Sequence, residues 1–130
     1  MKQRSVFTIA ISVLFIACLF ISPPSSLAAK TIKIGIVDSY SGPASTYTND
    51  VRDAFKLEVE KINKTGGIMV RIIEVLTRDS KFKADIGLSA AKELGYRENV
   101  DILMGTINSA LALAISGMCK KEKVPFFATF

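Results

Sequence analysis

Strand-like and helix-like segments alternate along the chain from residue 32 onward. Four short segments rich in β-branched and aromatic residues predict strands, at 32–37, 70–77, 100–104 and 124–128. Between them, apolar residues recur at helical spacing, which predicts helices over 48–64, over 83–94 and from residue 109 onward. Strands joined by crossover helices pair in parallel, and the helices cover both faces of the sheet. We therefore expect an α/β fold in the order β-α-β-α-β-α-β.

Each predicted helix has one apolar face that we expect to pack on the sheet. In the first helix this face comprises Val51, Ala54, Phe55, Val59 and Ile62. In the second it is built mostly of small residues, Ala84, Gly87, Ala90, Ala91 and Leu94. In the third it comprises Leu111, Ala114, Ile115 and Met118, and we expect Cys119 to be a buried thiol. Glycines predict the ends of the first two helices, Gly66-Gly67 and Gly95, and Ser109 is a candidate N-terminal cap of the third.

The first 28 residues have the pattern of a secretory signal peptide. Lys2 and Arg4 precede the uncharged, mostly apolar run 6–21, and small residues follow it, so cleavage is expected after Ala28. The alternative is an uncleaved anchor, but the run of 16 residues is shorter than the roughly 20 that a membrane span needs. The chain ends at Phe130, directly after a predicted strand, so we expect residues 29–130 to be part of a larger domain.

Composition argues against several classes of function. The chain has no His, the residue that most often serves as a metal ligand and as a general base near neutral pH. Its two cysteines cannot form a zinc cage, and the glycine-rich motifs that cradle nucleotide phosphates are absent from the sequence. Loss of residues 1–28 leaves a charge of +3 from 15 basic and 12 acidic side chains, a surplus too small to indicate nucleic-acid binding. We expect no metal, no cofactor and no enzymatic activity.

The carboxyl ends of the predicted strands are rich in hydroxyl groups and small residues. In an open parallel sheet, ligands bind beyond these ends, where helix N-termini present unpaired N–H groups. Such an edge suits a small anionic or zwitterionic molecule. Asp38 and Asp79 also lie at strand ends, and we interpret them as loop caps rather than as an acid/base pair. The sequence 63–65 matches a glycosylation sequon, although a three-residue pattern arises easily by chance.

Several segments, in order, resemble the N-terminal lobe of type I periplasmic binding proteins of the leucine/isoleucine/valine-binding group. The similarity extends over residues 32–129 and includes Ser41-Gly42-Pro43, the helix end 60–63 before Gly66-Gly67, and the segment 105–109 after the third strand. The resemblance implies the first lobe of a two-lobed solute receptor, which clamps an amino-acid-like or carboxylate ligand and delivers it to an ABC permease. It also implies a periplasmic location. The same fold in the sensor domain of a signalling receptor is the alternative.

The resemblance implies a set of ligand-binding residues at the predicted edge. Ser109 corresponds to the serine that contacts backbone groups of the ligand, with Ile107 and Asn108 beside it, and Tyr47 corresponds to a tyrosine that lines the cleft. Thr129 borders the contact segment after the fourth strand, and Ser41 belongs to the Ser-Gly-Pro turn. Other roles remain open: Ser109 as a helix cap, Tyr47 as a packing residue and Ser41 as a turn residue.

The chain departs from the family pattern at two places. The usual Gly-Gly-x-x-Gly-Arg-Lys turn has Val70 in place of its last glycine and Ile72 in place of a polar residue. A disulfide that occurs in some leucine binders would fall at Lys81 and Asn108, so it is absent here. The missing disulfide bears on the identity of the ligand and not on the fold.

Overall fold

The computed structural model describes residues 31–129, so the predicted signal peptide lies outside the described residues. Four strands and three helices follow one another in strict alternation. Their bounds are β1 (Ile32–Asp38), α1 (Ser45–Lys64), β2 (Ile73–Asp79), α2 (Ala84–Tyr96), β3 (Ile102–Met104), α3 (Ser109–Glu122) and β4 (Phe126–Phe127). None of these helices combines the length and hydropathy that a membrane-spanning segment requires.

The four strands form one parallel sheet in the order β2-β1-β3-β4. β1 is a central strand and pairs over its whole length with β2, from Ile32 opposite Ile73 to Asp38 opposite Asp79. On its other side β1 pairs with β3, and the spatial order changes direction at this point because β2 and β3 lie on opposite sides of β1. The predicted α/β fold with a parallel sheet is confirmed.

The helices divide between the two faces of the sheet, as predicted. α2 and α3 pack side by side on one face, over a core built from Val37, Leu94, Leu103, Leu111 and Ile115. A Cβ atom at Gly87 would collide with Leu111, so the small residues of α2 allow the two helices to approach closely. Cys119 belongs to the same core and is 2% exposed, which confirms the expected buried thiol.

The other face is covered by α1 alone. Its core is smaller and consists of Ile34, Ile36, Val59 and Ile73, with Phe55 packed against it. The predicted inward face of α1 is therefore too wide: Val51, Ala54 and Ile62 are exposed rather than buried. A single helix contacts a twisted sheet only along a narrow stripe, so the apolar residues on either side of that stripe remain accessible.

The turn between α1 and β2 differs from the prediction. β2 begins at Ile73 rather than at residue 70, because residues 68–71 form a tight hairpin in which Ile68 and Arg71 exchange two backbone hydrogen bonds of 2.9 Å. The two central residues of this turn, Met69 and Val70, have φ angles of 51° and 65°. Val70 thus occupies, with a side chain 81% exposed, a backbone conformation that β-branched residues avoid.

Other predicted boundaries are corrected by one to three residues. α1 begins at Ser45, three residues before the predicted start. α2 continues through Gly95 to Tyr96, so Gly95 lies within the helix and Arg97 follows it as the cap residue. β3 and β4 are shorter than predicted, since only the residues paired with a neighbouring strand adopt strand geometry.

Candidate functional site

The carboxyl ends of β1, β2 and β3 meet at one edge of the sheet, and the loops that leave them are joined by buried polar side chains. Asp38, the last residue of β1, is 3% exposed, and its neighbour Ser39 is fully buried. Asp38 Oδ1 accepts hydrogen bonds from Ser39 N–H at 2.8 Å, Ile107 N–H at 3.1 Å and the Thr106 hydroxyl at 3.2 Å. The carboxylate therefore links the end of β1 to the loop between β3 and α3.

A second group of hydroxyls connects β1 to β2 and α1. The Ser39 and Ser80 hydroxyl oxygens lie 2.8 Å apart, and both residues are fully buried. The hydroxyl of Thr48, which is 1% exposed, donates to the Ser39 carbonyl oxygen. Within residues 31–129, every fully buried side-chain nitrogen or oxygen has a hydrogen-bond partner. Because all of these groups are satisfied, the network holds the edge rigidly.

The N-terminus of α3 opens at this edge. Asn108, not Ser109, is the N-cap: its Oδ1 accepts from Leu111 N–H at 3.1 Å, and Ser109 is the exposed first residue of the helix. The first helical hydrogen bond runs from Ala112 N–H to the Asn108 carbonyl oxygen. The N–H groups of Ser109 and Ala110 precede this bond and are left over for an outside acceptor. Together with the Ser109 hydroxyl they form a donor group at the positive end of the helix dipole.

Asn108 also connects this loop to the one that follows β2. Its Nδ2 donates to the carbonyl oxygen of Phe82 at 3.3 Å. Lys81 and Asn108, the two positions at which the resemblance implied a disulfide, thus lie on neighbouring loops, and a side-chain hydrogen bond joins those loops here. The missing disulfide has a non-covalent counterpart.

The remaining predicted site residues lie at the same edge or on the segment that leaves it. Tyr47 is in the first turn of α1 with 68% of its surface exposed, and Thr129 is exposed just beyond β4. Ser41 is exposed in the turn after β1, and its hydrogen bond to Asp79 agrees with a role in the turn. Ile107, Asn108 and Ser109 are consecutive in the loop that leads into α3. Among residues 31–129, no hydrogen bond joins these three residues to Tyr47, Ser41 or Thr129.

Asp79 stabilises the loop that carries Ser41. Its Oδ1 accepts from Tyr40 N–H at 3.0 Å and from Lys81 N–H at 2.8 Å. Partial burial acts to raise the pKa of the Asp79 carboxyl, but hydrogen bonds from Ser41, Lys81 and Tyr40 outweigh burial and hold that pKa below its ordinary value. Asp38 and Asp79 are both occupied by loop donors, which supports the interpretation of these residues as loop caps.

Tyr40 and Arg52 form a contact that the sequence pattern did not reveal. The guanidinium carbon of Arg52 lies 5.1 Å from the centre of the Tyr40 ring, and both residues line a cavity of about 80 Å³ beside Thr129 and Phe55. Burial, with the nearby negative charge of Asp38, raises the pKa of the Tyr40 phenol, which stays neutral. Contacts between residues 12 positions apart on a loop and a helix leave no periodic signal in a sequence.

The arrangement provides hydrogen-bond donors that can bind a small anion. Within residues 31–129, no set of three or more His, Cys, Asp or Glu side chains comes together in a way that could hold a metal ion. The N-terminus of α3 offers backbone N–H groups and a hydroxyl, which recognise a carboxylate without carrying a charge of their own.

Curated relatives of this chain are binding proteins for aliphatic amino acids by name. The chain is 31% identical over 100 residues to Leu/Ile/Val-binding protein homolog 7 of Brucella suis, and 26% identical over 98 residues to Leu/Ile/Val-binding protein BraC3 of Rhizobium johnstonii. These alignments cover 77% and 75% of this chain but 25% and 26% of the relatives. The chain therefore spans about a quarter of the length of the curated relatives it matches.

Solved structures have the same architecture. The branched-chain amino acid transporter substrate binding protein LivJ from Streptococcus pneumoniae, in complex with isoleucine, is 30% identical and superposes with a TM-score of 0.71 over 75% of this chain and 28% of its own. A solute binding protein from R. palustris in complex with benzoate, at 21% identity and a TM-score of 0.68 over 75% of this chain and 27% of its own, shows the shared fold.

The sequence similarity extends through the whole described part of the chain. A family profile described as periplasmic binding protein matches residues 31–130, which include every strand, helix and loop of the candidate site. With the parallel sheet, the hydroxyl-rich edge and the similarity to the leucine/isoleucine/valine-binding group, this match shows that the chain belongs to the periplasmic binding protein family, a family of solute-binding proteins rather than enzymes.

Proposed function

We propose that this chain is part of the first lobe of an exported solute receptor that serves an ABC importer. The observation that carries the proposal is the N-terminus of α3, where the N–H groups of Ser109 and Ala110 and the Ser109 hydroxyl are available at the carboxyl edge of the sheet. Two N–H donors and a hydroxyl at the positive end of a helix suit a carboxylate. The family membership of the chain supports a small solute as the molecule that carries this carboxylate.

The ligand class that we infer is a small carboxylate, with aliphatic amino acids as the first candidates. The relatives at 30% and 31% identity are named for binding branched-chain amino acids, and one of them was solved with isoleucine. The first turn of α3 contains no lysine or arginine, so within this turn the charge of the ligand is met by the helix dipole, backbone N–H groups and the Ser109 hydroxyl. Neutral donors of this kind bind an amino-acid carboxylate, and their own desolvation costs less than that of a buried cation.

The other predicted residues take supporting positions in this proposal. Asn108 orients the first turn of α3, and the side chain of Ile107 provides apolar surface beside it. Tyr47 and Thr129 are exposed to a ligand or a second lobe, and Ser41 shapes the turn between β1 and α1. An exposed tyrosine suits such a position, because its ring packs against apolar surface while its hydroxyl forms hydrogen bonds.

The proposed mechanism is closure of two lobes around the ligand. Residues 31–129 supply one wall of the site, and the chain spans about a quarter of its relatives' length, so the second wall belongs to segments outside this sequence. Closure excludes water and produces the form that a membrane permease recognises. Export fits the basic and apolar pattern of residues 1–28, which we propose are removed after Ala28 in the periplasm.

The experiment is a calorimetric titration of the full-length receptor that contains this lobe. The probes are leucine, isoleucine, valine and benzoate, with leucinamide as a matched control that lacks the carboxylate. We expect at least one carboxylate probe to bind with micromolar or tighter affinity and leucinamide to bind much more weakly. Equal binding of leucine and leucinamide would contradict carboxylate recognition by the α3 N-terminus, and binding of no probe would contradict the proposed ligand class.

A further inference from the structure

We infer that Asp38 is a positioning residue for ligand binding, because it fixes the loop from which the N-terminus of α3 emerges. The role in ligand binding rests on the proposed function. The effect of Asp38 on the loop can be tested without a ligand. Asp38 is the last residue of β1, and all three of its donors converge on one carboxylate oxygen, Oδ1. Two of those donors, Thr106 and Ile107, belong to the loop between β3 and α3.

The burial of Asp38 makes this arrangement costly to break. The residue is 3% exposed, and Thr106 is 1% exposed. A buried carboxylate that lost its donors would be left without solvent to replace them. The loop therefore keeps the one conformation in which Ile107 N–H and the Thr106 hydroxyl both reach Oδ1.

The loop transmits this constraint to the ligand donors within two residues. Ile107 N–H donates to Asp38 Oδ1, so this N–H is not available to a ligand. The next residue, Asn108, is fixed by its own bonds to Leu111 N–H and to the Phe82 carbonyl oxygen. Ser109 follows directly, and the direction of its N–H and hydroxyl is determined by a loop that is held on both sides. A shift of about 1 Å in such donors is enough to weaken binding strongly.

The chain contains a control aspartate at the opposite edge of the sheet. Asp101 precedes β3, and its Oδ2 accepts from Lys33 N–H at 2.9 Å, so this carboxylate also joins β1 to the segment adjoining β3. The two aspartates brace the same pair of strands, but Asp101 does so at the amino edge, away from the α3 N-terminus. Loss of Asp101 removes this brace and an ion pair with Arg71 at 3.9 Å, without touching the loop at residues 106–108.

The experiment compares Asp38→Ala, Asp38→Asn and Asp101→Ala in the full-length receptor. Hydrogen exchange measured at the Ile107 amide reports the loop, and titration with leucine, isoleucine, valine and benzoate reports binding. Asparagine keeps an acceptor oxygen for Ile107 N–H, so it serves as the conservative variant. Melting temperatures of all three variants measure the purely structural cost.

We expect Asp38→Ala to accelerate exchange at Ile107 at least tenfold and to weaken binding of the recognised probe at least tenfold. Asp38→Asn should restore most of both properties, and Asp101→Ala should lower the melting temperature with affinity changed less than twofold. If Asp38→Ala and Asp101→Ala weaken binding equally, or if Ile107 exchange is unchanged in Asp38→Ala, the positioning role is wrong. If the unsubstituted receptor binds none of the probes, the proposed ligand class fails, while the exchange measurement still decides whether Asp38 fixes the loop.

Discussion

Asn63 pairs with the backbone of Ile73 through both ends of its side-chain amide. Its Oδ1 accepts from Ile73 N–H at 2.8 Å, and its Nδ2 donates to the Ile73 carbonyl oxygen at 2.8 Å. The pair joins the last turn of α1 to the first residue of β2, across the glycines and the hairpin that separate them. This structural role accounts for Asn63 without the glycosylation that the sequon at 63–65 would suggest.

The Asn63 pair predicts a stability loss that depends on both amide groups. Asn63→Ala removes both hydrogen bonds and leaves two backbone groups of Ile73 with poorer partners, so we expect a loss of about 1–3 kcal/mol in the free energy of unfolding. Asn63→Asp keeps the acceptor and loses the donor, so its loss should be smaller. Urea denaturation measures both values, and an alanine variant as stable as the parent would contradict the importance of the pair.

The hairpin at 68–71 predicts a stabilising substitution. Val70 has a φ of 65° and is 81% exposed, so Val70→Gly relieves a strained backbone and removes little packing. The strain of about 1–2 kcal/mol is partly offset by the greater freedom of glycine in the unfolded chain, and we expect a net gain of up to about 1 kcal/mol. The matched opposite change is Gly67→Ala, whose Cβ would collide with the Arg71 carbonyl oxygen and should destabilise the protein. Denaturant midpoints that move the other way would refute the turn geometry.

The hydrogen bonds to Asp79 predict that the stabilisation provided by its carboxylate is lost in acid. Its folded-state pKa lies below the ordinary value of 3.8, so the ionised carboxyl stabilises the folded state above that pH. The contribution disappears as the pH falls below 3.8 toward the folded-state pKa. We therefore expect the stability difference between the parent and Asp79→Asn to be largest near neutral pH and to shrink in acid. A difference that is constant from neutral pH to about pH 3 would contradict the depressed pKa.

The burial of Cys119 predicts that its thiol reacts only after the protein unfolds. The side chain is 2% exposed in the core between α2 and α3, and burial raises the pKa of the thiol, so the reactive thiolate is scarce. In a protein that begins at Ala29, Cys119 is the single cysteine of residues 29–130. Absorbance after addition of a disulfide reagent at about pH 8 should stay flat until denaturant is added. Rapid labelling of the folded protein would show that the α2–α3 core is open.

Much of the fold was predictable from the sequence, because the spacing of apolar residues differs clearly between the strand segments and the helix segments. The small-residue face of α2 and the position of Cys119 were predictable, since those residues repeat at helical spacing and point toward one core. Resemblance to a family then supplied candidate residues that periodicity alone does not mark, such as Tyr47. These candidates lie at the expected edge, and their contact with a ligand stays a prediction.

The errors have local physical causes. The start of β2 was predicted early because Val70 has high strand propensity, whereas the hairpin forces it into a turn. Ser109 was predicted as the cap, but Asn108 has the extended backbone that a cap requires, with φ of −93° and ψ of 108°. The buried bonds from Asp38 to Thr106 and Ile107 join residues about 70 positions apart, a separation at which a single sequence carries no pairing signal.

The central claim, that the first turn of α3 receives the ligand carboxylate, is tested most directly by substitution of Ser109. Ser109→Ala removes only the hydroxyl. Ser109→Pro removes the hydroxyl and the backbone N–H, and proline is tolerated at the first helical position after an extended residue such as Asn108. Ser116→Ala, at an exposed serine of the same helix, serves as the control.

The measurement is the dissociation constant of the recognised carboxylate for the full-length receptor and these three variants, determined by calorimetry. Loss of one hydrogen bond to a charged group predicts a decrease in affinity of about tenfold for Ser109→Ala. Ser109→Pro should lose about tenfold more, while Ser116→Ala binds like the parent and all melting temperatures stay close together. Parental affinity in Ser109→Pro, with the fold intact, would show that the carboxylate binds elsewhere.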